Sequence, residues 1–343
     1  MNAASRNLRI VIVTDAWRPQ VNGVVRTLTE TKKQLELMGH AVELIAPERF
    51  TTFPCPTYPE IRLSLAGSRR VGKLLDEFAP DAVHIATEGP LGWAARKACL
   101  KRNLPFTTAY HTRFPEYVNA RIHAPLSWSY AVLRRFHGPA SRVMVPTPTV
   151  KKDLESWGFD NVVLWTRGVD LEIFKPGPRD RLQTKPPIFV YVGRVAVEKN
   201  VEAFLKLDLP GSKWVVGEGP ALASLRTAYP DVNFLGVLQQ AELARVYAAA
   251  DVFVFPSKTD TFGLVLLEAM ACGTPVAAYP VTGPLDVLGD RPADRSGGAM
   301  DEDLRAACLK ALEIPRDRAL AHARDYSWAE CARQFADHLR PRG

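Results

Sequence analysis

Twice along this chain a β-branched apolar run gives way to a loop marked by glycine or proline and then to a helical pattern. That repetition restricts the fold more than any other feature. Arg9–Thr14 (RIVIVT) is a continuous run of the kind buried on both faces of a parallel sheet. A loop with Pro19, Asn22 and Gly23 follows, then a helical stretch from Val24 to Met38 that ends at Gly39-His40. Ala41–Ala46 (AVELIA) reads as the next strand, with more predicted at Ala82–Ile85, Phe106–Ala109 and Arg142–Pro146. A second series opens at Pro187–Val192 (PIFVYV) and continues at Lys213–Val216, Val232–Leu235, Val252–Phe255 and Pro275–Ala278. Strands alternating with helices in this way mean a doubly wound parallel sheet, and 343 residues hold two of them. Between the series, Lys175–Pro187 (KPGPRDRLQTKPP) reads as a linker. A last helical pattern, Ser327–Leu339, sets Trp328, Cys331, Phe335 and Leu339 at helical spacing.

Composition excludes several classes. The chain is 47% apolar and 24% charged, the balance of a globular protein. No stretch nears the ~18 consecutive apolar residues of a spanning helix. The opening MNAASRNLRIVIVTDAW lacks the apolar run and cleavage site of a signal peptide. The expectation is a cytoplasmic protein, or one that touches a membrane only from the cytosolic side. Cys55, Cys99, Cys272, Cys308 and Cys331 are scattered and form no C-x-x-C pair, which argues against a disulfide framework and a zinc site. The net charge of +7 is uneven: residues 1–170 carry +8 and the remainder −1. A one-sided basic half suits an anionic partner such as phospholipid head groups or nucleic acid.

Phe255–Val276 (FPSKTDTFGLVLLEAMACGTPV) carries the most chemistry. A strand ends at Phe255, a polar loop holds Asp260, and Phe262-Gly263-Leu264 opens a helix through Val265, with Glu268 one turn further on. Amides at a helix start lack intrahelical partners, and a glycine there admits a ligand closely, so the place suits a phosphate. Carboxylates on either side can hold sugar and ribose hydroxyls, although a capping Asp and an ordinary surface Glu give the same pattern. Val192-Gly193-Arg194 and Glu198-Lys199-Asn200 set two cations at the carboxyl edge of the second sheet, where a leaving diphosphate can be neutralised. Gly217-Glu218-Gly219-Pro220 is a further glycine-marked loop. Asp301-Glu302-Asp303 superficially matches a D-x-D metal motif, but before a helix such residues complement its dipole, and no metal is implied.

Together these elements resemble the retaining family-four glycosyltransferases, whose signature is Glu-x7-Glu within PS…E…FG…EAMA.G.PV, and the resemblance covers nearly the whole chain. It implies a GT-B fold, an α/β architecture of two doubly wound Rossmann-like domains facing across a cleft. The acceptor-binding domain is then 1–170, the nucleotide-sugar-binding domain 171–325, and a C-terminal helix in 326–343 packs back on the first. It implies transfer of a hexose or uronic acid from a nucleotide-diphosphate sugar, a UDP-sugar ahead of GDP-mannose, with retention of configuration and no cofactor. On matching positions, Asp260 contacts the sugar where the family has Glu. Phe262, Gly263, Leu264 and Val265 serve the diphosphate, and Glu268 the ribose. Gly193, Arg194 and Lys199 bind the donor phosphates, while Gly217 and Glu218 line the nucleotide pocket. Asn22-Gly23 stands where the family has a Gly-Gly turn facing the diphosphate, and Asp15 before it is expected to position donor or acceptor. His111, after the Phe106–Ala109 strand, matches an active-site His that bonds a sugar hydroxyl or steadies developing charge. Arg167-Gly168-Val169-Asp170 matches an NGVD crossover with Arg167 in place of Asn, expected to close a hinge or touch the donor.

The acceptor is sought on the basic half. Ser68–Phe78 sets Arg69, Arg70 and Lys73 beside Val71, Leu74, Leu75 and Phe78. Ala120–His137 mixes Trp128, Tyr130, Leu133 and Phe136 with Arg121, Arg134 and Arg135. Such stretches either lie in an anionic interface or pack as ordinary amphipathic helices. With Arg113 and Tyr117 of the HTRFPEY loop, they are the candidate acceptor or membrane residues. The pattern resembles lipid-glycosylating members, including sulfoquinovosyl- or glucuronosyl-diacylglycerol synthases and phosphatidylinositol mannosyltransferases. The expected partners are a nucleotide-sugar donor, a lipid acceptor and an anionic membrane surface, not nucleic acid. A soluble acceptor is the alternative within the class, and a nucleotide-sugar 2-epimerase the alternative outside it. A dehydrogenase is disfavoured because no G-x-G-x-x-G follows either first strand.

Overall fold

The computed structural model describes residues 7–20, 22–55, 58–116, 119, 123–179, 184–289 and 291–342. They form two compact units, one of residues 1–167 with 328–343 and the other of residues 168–327. Each holds one six-stranded sheet whose pairings are all parallel.

In the first unit the strands are β1 (Arg9–Val13), β2 (Ala41–Ile45), β5 (Ala82–Ile85), β6 (Phe106–Ala109), β7 (Arg142–Val145) and β8 (Val162–Leu164), in the order β2-β1-β5-β6-β7-β8. A short antiparallel hairpin, β3 (Thr52–Cys55) with β4 (Tyr58–Ser64), stands beside the sheet. The Trp328–His338 helix packs on the Gly23–Leu37 helix, and the Trp165 indole donates to the Cys331 carbonyl at 3.1 Å. In the second unit the order is β11-β10-β9-β12-β13-β14. Its strands are β9 (Ile188–Val192), β10 (Ser212–Val216), β11 (Asn233–Gly236), β12 (Val252–Phe255), β13 (Val276–Ala278) and β14 (Gly298–Met300).

The β-branched runs form central strands because helices cover both faces. Along β9, Ile188, Val190 and Val192 belong to one core while Phe189 and Tyr191 belong to the other. That two-residue alternation with both sides buried produces a run of apolar residues instead of an amphipathic pattern. In both sheets the chain winds outward from a middle strand, returns, and winds the other way. The reversals fall between β1 and β5 and between β9 and β12. At such a point the two following loops part, leaving a crevice at the strands' carboxyl ends. Among the described residues no helix is long and apolar enough to cross a membrane.

Candidate active site

The crevice of the second unit brings the two sequence-predicted loops together. After β9 the chain passes Gly193 and Arg194 into a short 3₁₀ turn, Val197–Lys199. After β12 it runs from Pro256 to Gly263 before the Leu264–Ala271 helix. The Lys199 ammonium pairs with Asp260 Oδ1, the Asn200 amide donates to the Pro256 carbonyl at 3.1 Å, and Thr259 Oγ1 donates to the Glu198 carbonyl at 3.4 Å. Asp260 Oδ2 is buried without a hydrogen-bond partner among the described residues. A buried carboxylate oxygen in that state is an acceptor matched to an incoming hydroxyl. Arg194 lies on the same loop, half-exposed, with Glu198 at 3.4 Å.

Gly263 begins the helix at φ +88°, and a Cβ there would stand 3.1 Å from the Phe255 ring. Only glycine enters this corner freely, and no side chain caps the helix start behind it. The first amides of the helix, at Leu264 and Val265, are thereby presented to an anion. One turn in, Glu268 is buried and receives a 3.4 Å hydrogen bond from Tyr247 Oη. At the end of β10, a Cβ on Gly217 would stand 2.0 Å from the Gly193 carbonyl oxygen. The loops holding Gly193 and Glu218 can therefore meet only backbone to backbone, and Val195 N donates to Glu218 O at 2.8 Å.

The matching places in the first unit are filled by its own side chains. Asp15 leaves β1, and its carboxylate accepts from the Leu91 amide (2.8 Å), the Gly92 amide (3.1 Å) and Thr87 Oγ1 (3.0 Å). It thus caps the Pro90–Lys101 helix after β5. Burial pushes its pKa up, against the lowering effect of those donors. Asn22 likewise caps its own helix, with Oδ1 accepting from the Val24 and Val25 amides at 3.0 Å each. The sequence reading gave Asn22-Gly23 to the diphosphate and Asp15 to a ligand. In the structure both side chains are engaged with helix starts, Asn22 with that of its own helix and Asp15 with that of the Pro90–Lys101 helix.

His111 sits just past β6, edge-on to Trp165 at 5.7 Å, with Nδ1 3.3 Å from Arg167 Nη2. Burial, then the Arg167 charge, then His84 hold its pKa well below the usual value. Arg167, expected at a hinge or on the donor, is buried within this unit, and burial lowers its pKa to about 10.

The candidate acceptor helices also change meaning. In Ser68–Phe78, Val71 and Leu75 are core, while Arg69, Arg70 and Lys73 are exposed and Arg70 donates to the Arg49 carbonyl at 2.7 Å. In the Leu126–His137 helix, Tyr130, Leu133 and Phe136 are core, so they are not a membrane face. The outer face instead presents Trp128, 71% exposed, and Val132, 56% exposed, with Arg135 beside them. A groove lined by Ser68, Trp93, Arg96, Lys97, Lys101 and Arg135 joins the two helices, a basic set that the sequence reading passed over for Pro90–Lys101. Arg113 is drawn inward by Asp153 at 3.0 Å. Tyr117 and Arg121 lie outside the described residues.

Two doubly wound parallel sheets, one with an open glycine-capped helix start beside a cation–carboxylate pair, define a GT-B-type protein. Residues 21–173 match the family described as Glycosyltransferase Family 4, and residues 186–313 match Glycosyl transferases group 1. The sulfoquinovosyl transferase of Arabidopsis thaliana is 33% identical over 80% of this chain, which spans 56% of that protein's length. The GDP-mannose-dependent alpha-mannosyltransferase of Mycobacterium tuberculosis is 30% identical over 82% of this chain and 81% of its own length. An alpha-monoglucosyldiacylglycerol synthase of Streptococcus pneumoniae is 28% identical over 89% of this chain and 78% of its own length. Among solved structures, a sucrose-phosphate synthase from Thermosynechococcus elongatus shares the fold at TM-score 0.77 and 21% identity, over 95% of this chain and 97% of that one. The chain belongs to glycosyltransferase family 4.

Proposed function

We propose that this glycosyltransferase moves a hexosyl group from a nucleotide-diphosphate sugar to a membrane lipid, with retention of anomeric configuration and without a metal. The observation that carries the donor half is the meeting of Lys199, Asp260 and the uncapped Gly263–Leu264 helix start at the second unit's crevice. Helix amides with Arg194 and Lys199 offset the charge that grows on a departing diphosphate, the task a metal performs in other sites. Asp260 Oδ2 takes a sugar hydroxyl, Glu268 the ribose, and His111 is a further residue that bonds a sugar hydroxyl. GDP-mannose is the first donor to test, ahead of the UDP-sugars that the sequence alone favoured. The mannosyltransferase relative matches about four-fifths of both chains and names that donor.

Two supports favour a lipid acceptor: a relative that glycosylates a diacylglycerol by name, and the exposed Trp128–Val132–Arg135 face beside the basic groove. The test is a panel of nucleotide sugars with total lipid extract, read by mass spectrometry, with the anomeric linkage read by NMR. One donor consumed into an α-linked glycolipid in excess chelator is the expected result. A water-soluble product would redirect the acceptor reading. An inverted linkage or a strict metal requirement would overturn that part of the mechanism.

A further inference from the structure

Arg167 is only 3% exposed. Its Nη1 donates to the carbonyls of Trp165 at 2.6 Å and Thr166 at 3.0 Å, and its guanidinium lies 4.3 Å from the Trp165 ring centroid. Its Nη2 is 3.3 Å from His111 Nδ1. A guanidinium has N–H groups and no lone pair to offer, so in this contact the imidazole nitrogen is the acceptor. A neutral imidazole that accepts at Nδ1 carries its proton on Nε2. A second proton would set two cations against each other in a buried place, which both burial and the Arg167 charge oppose.

We propose that Arg167 is a positioning residue that fixes His111 as a neutral imidazole protonated at Nε2, so that the ring meets the sugar as a hydrogen-bond donor and not as a base. The proposal rests on the reading above that His111 belongs to the sugar site. An asparagine, which the family pattern has in this place, offers both an oxygen and an N–H and could hold either tautomer. Arginine can hold only one. With Nδ1 engaged and Nε2 carrying the proton, neither nitrogen is left to take a proton from an acceptor hydroxyl. Deprotonation of the acceptor must therefore be done by another group, the donor's own phosphate oxygen included.

The test is long-range ¹H–¹⁵N correlation NMR on ¹⁵N-histidine-labelled protein, with His111 assigned by the signal that His111→Gln removes. The wild type is expected to show one population, protonated at Nε2 and bare at Nδ1. Arg167→Met is expected to mix the tautomers and to lower kcat by about 10–100-fold with the donor KM within about threefold. Arg167→Lys, which also only donates, should restore the single tautomer and most of kcat. A wild-type ring protonated at Nδ1, or at both nitrogens, overturns the proposal with no variant needed. An Arg167→Met protein that keeps the Nε2–H form overturns it as well. Undiminished turnover in His111→Phe would instead remove His111 from the sugar site, whatever the tautomer spectrum shows.

Discussion

Asp260 is one methylene shorter than the glutamate its family pattern calls for, and the structure shows what that shortness accompanies. One oxygen is held by Lys199 while the other is buried and unmatched. Asp260→Asn keeps the size and removes the charge, so it should lower turnover by about 100-fold while nucleoside-diphosphate affinity changes by less than about threefold. Calorimetry beside initial rates checks this, and wild-type turnover in that variant would reduce Asp260 to a loop residue. Arg194→Ala and Lys199→Ala should each remove most turnover and weaken diphosphate binding as well, because both act on the leaving group. Histidines whose pKa is lowered by burial set a pH limit. Burial lowers the pKa of His84 to about 3, that of His322 to about 4 and that of His111 well below the usual value. In the unfolded chain each takes up a proton near pH 6.5, which the folded state refuses. Stability is therefore full above that pH and falls as pH drops below it, by about 1.4 kcal/mol per pH unit for each histidine. The melting temperature should drop between pH 7 and pH 5, with a shallower slope in His84→Gln. A flat profile would show that these rings ionise in the fold.

At the scale of elements, the helix starts beside the two crevices differ. Asn22 and Asp15 close theirs with side-chain oxygens, and Gly263 leaves its own open. Asn22→Ala should therefore cost about 1 kcal/mol of stability with no change in nucleotide affinity. Gly263→Val should abolish nucleotide binding, since a β-branched residue is strained at φ +88° and crowds Phe255. Urea titration and calorimetry on the pair test the difference. A loss of nucleotide affinity in Asn22→Ala would instead place that side chain in the donor site. The central strands and the Leu264–Ala271 helix were legible because a fully buried strand and a glycine-opened helix leave continuous marks in sequence. The edge strands β8 and β14 were not, because three residues are too few to carry a periodic signal. The β3–β4 hairpin was missed because proline within a run argues against a strand. Side-chain capping at Asp15 was also hidden, since its partners Leu91 and Gly92 lie more than seventy positions along the chain. A separation of 56 positions likewise hides the Arg167–His111 contact, which joins two motifs read singly in the sequence.

At the scale of the whole molecule the charge is lopsided: the first 170 residues carry all of the excess. The fold gathers part of it along one groove, with Arg96, Lys97 and Lys101 on one helix and Arg135 on another. Arg96 is held in place by the carbonyls of Phe136 and Arg135 at 3.0 and 2.7 Å, which forces two cations close together. Like charges held together in this way favour an anion between them, while Trp128 and Val132 offer apolar surface to an interface. Vesicles with anionic phospholipid should therefore bind the protein and zwitterionic vesicles should not. Each basic residue near the surface adds about 1 kcal/mol, and raising salt shortens the screening length and releases the protein. Arg96 also braces the fold, so the informative variants are Arg135→Ala with Lys97→Ala for charge and Trp128→Ala for insertion. Sedimentation with vesicles should fall in both, the first with a reduced salt dependence and the second with it unchanged, while nucleotide affinity stays at the wild-type value. If the wild type ignores anionic vesicles at low salt, the basic face has another use and the lipid acceptor loses its physical support.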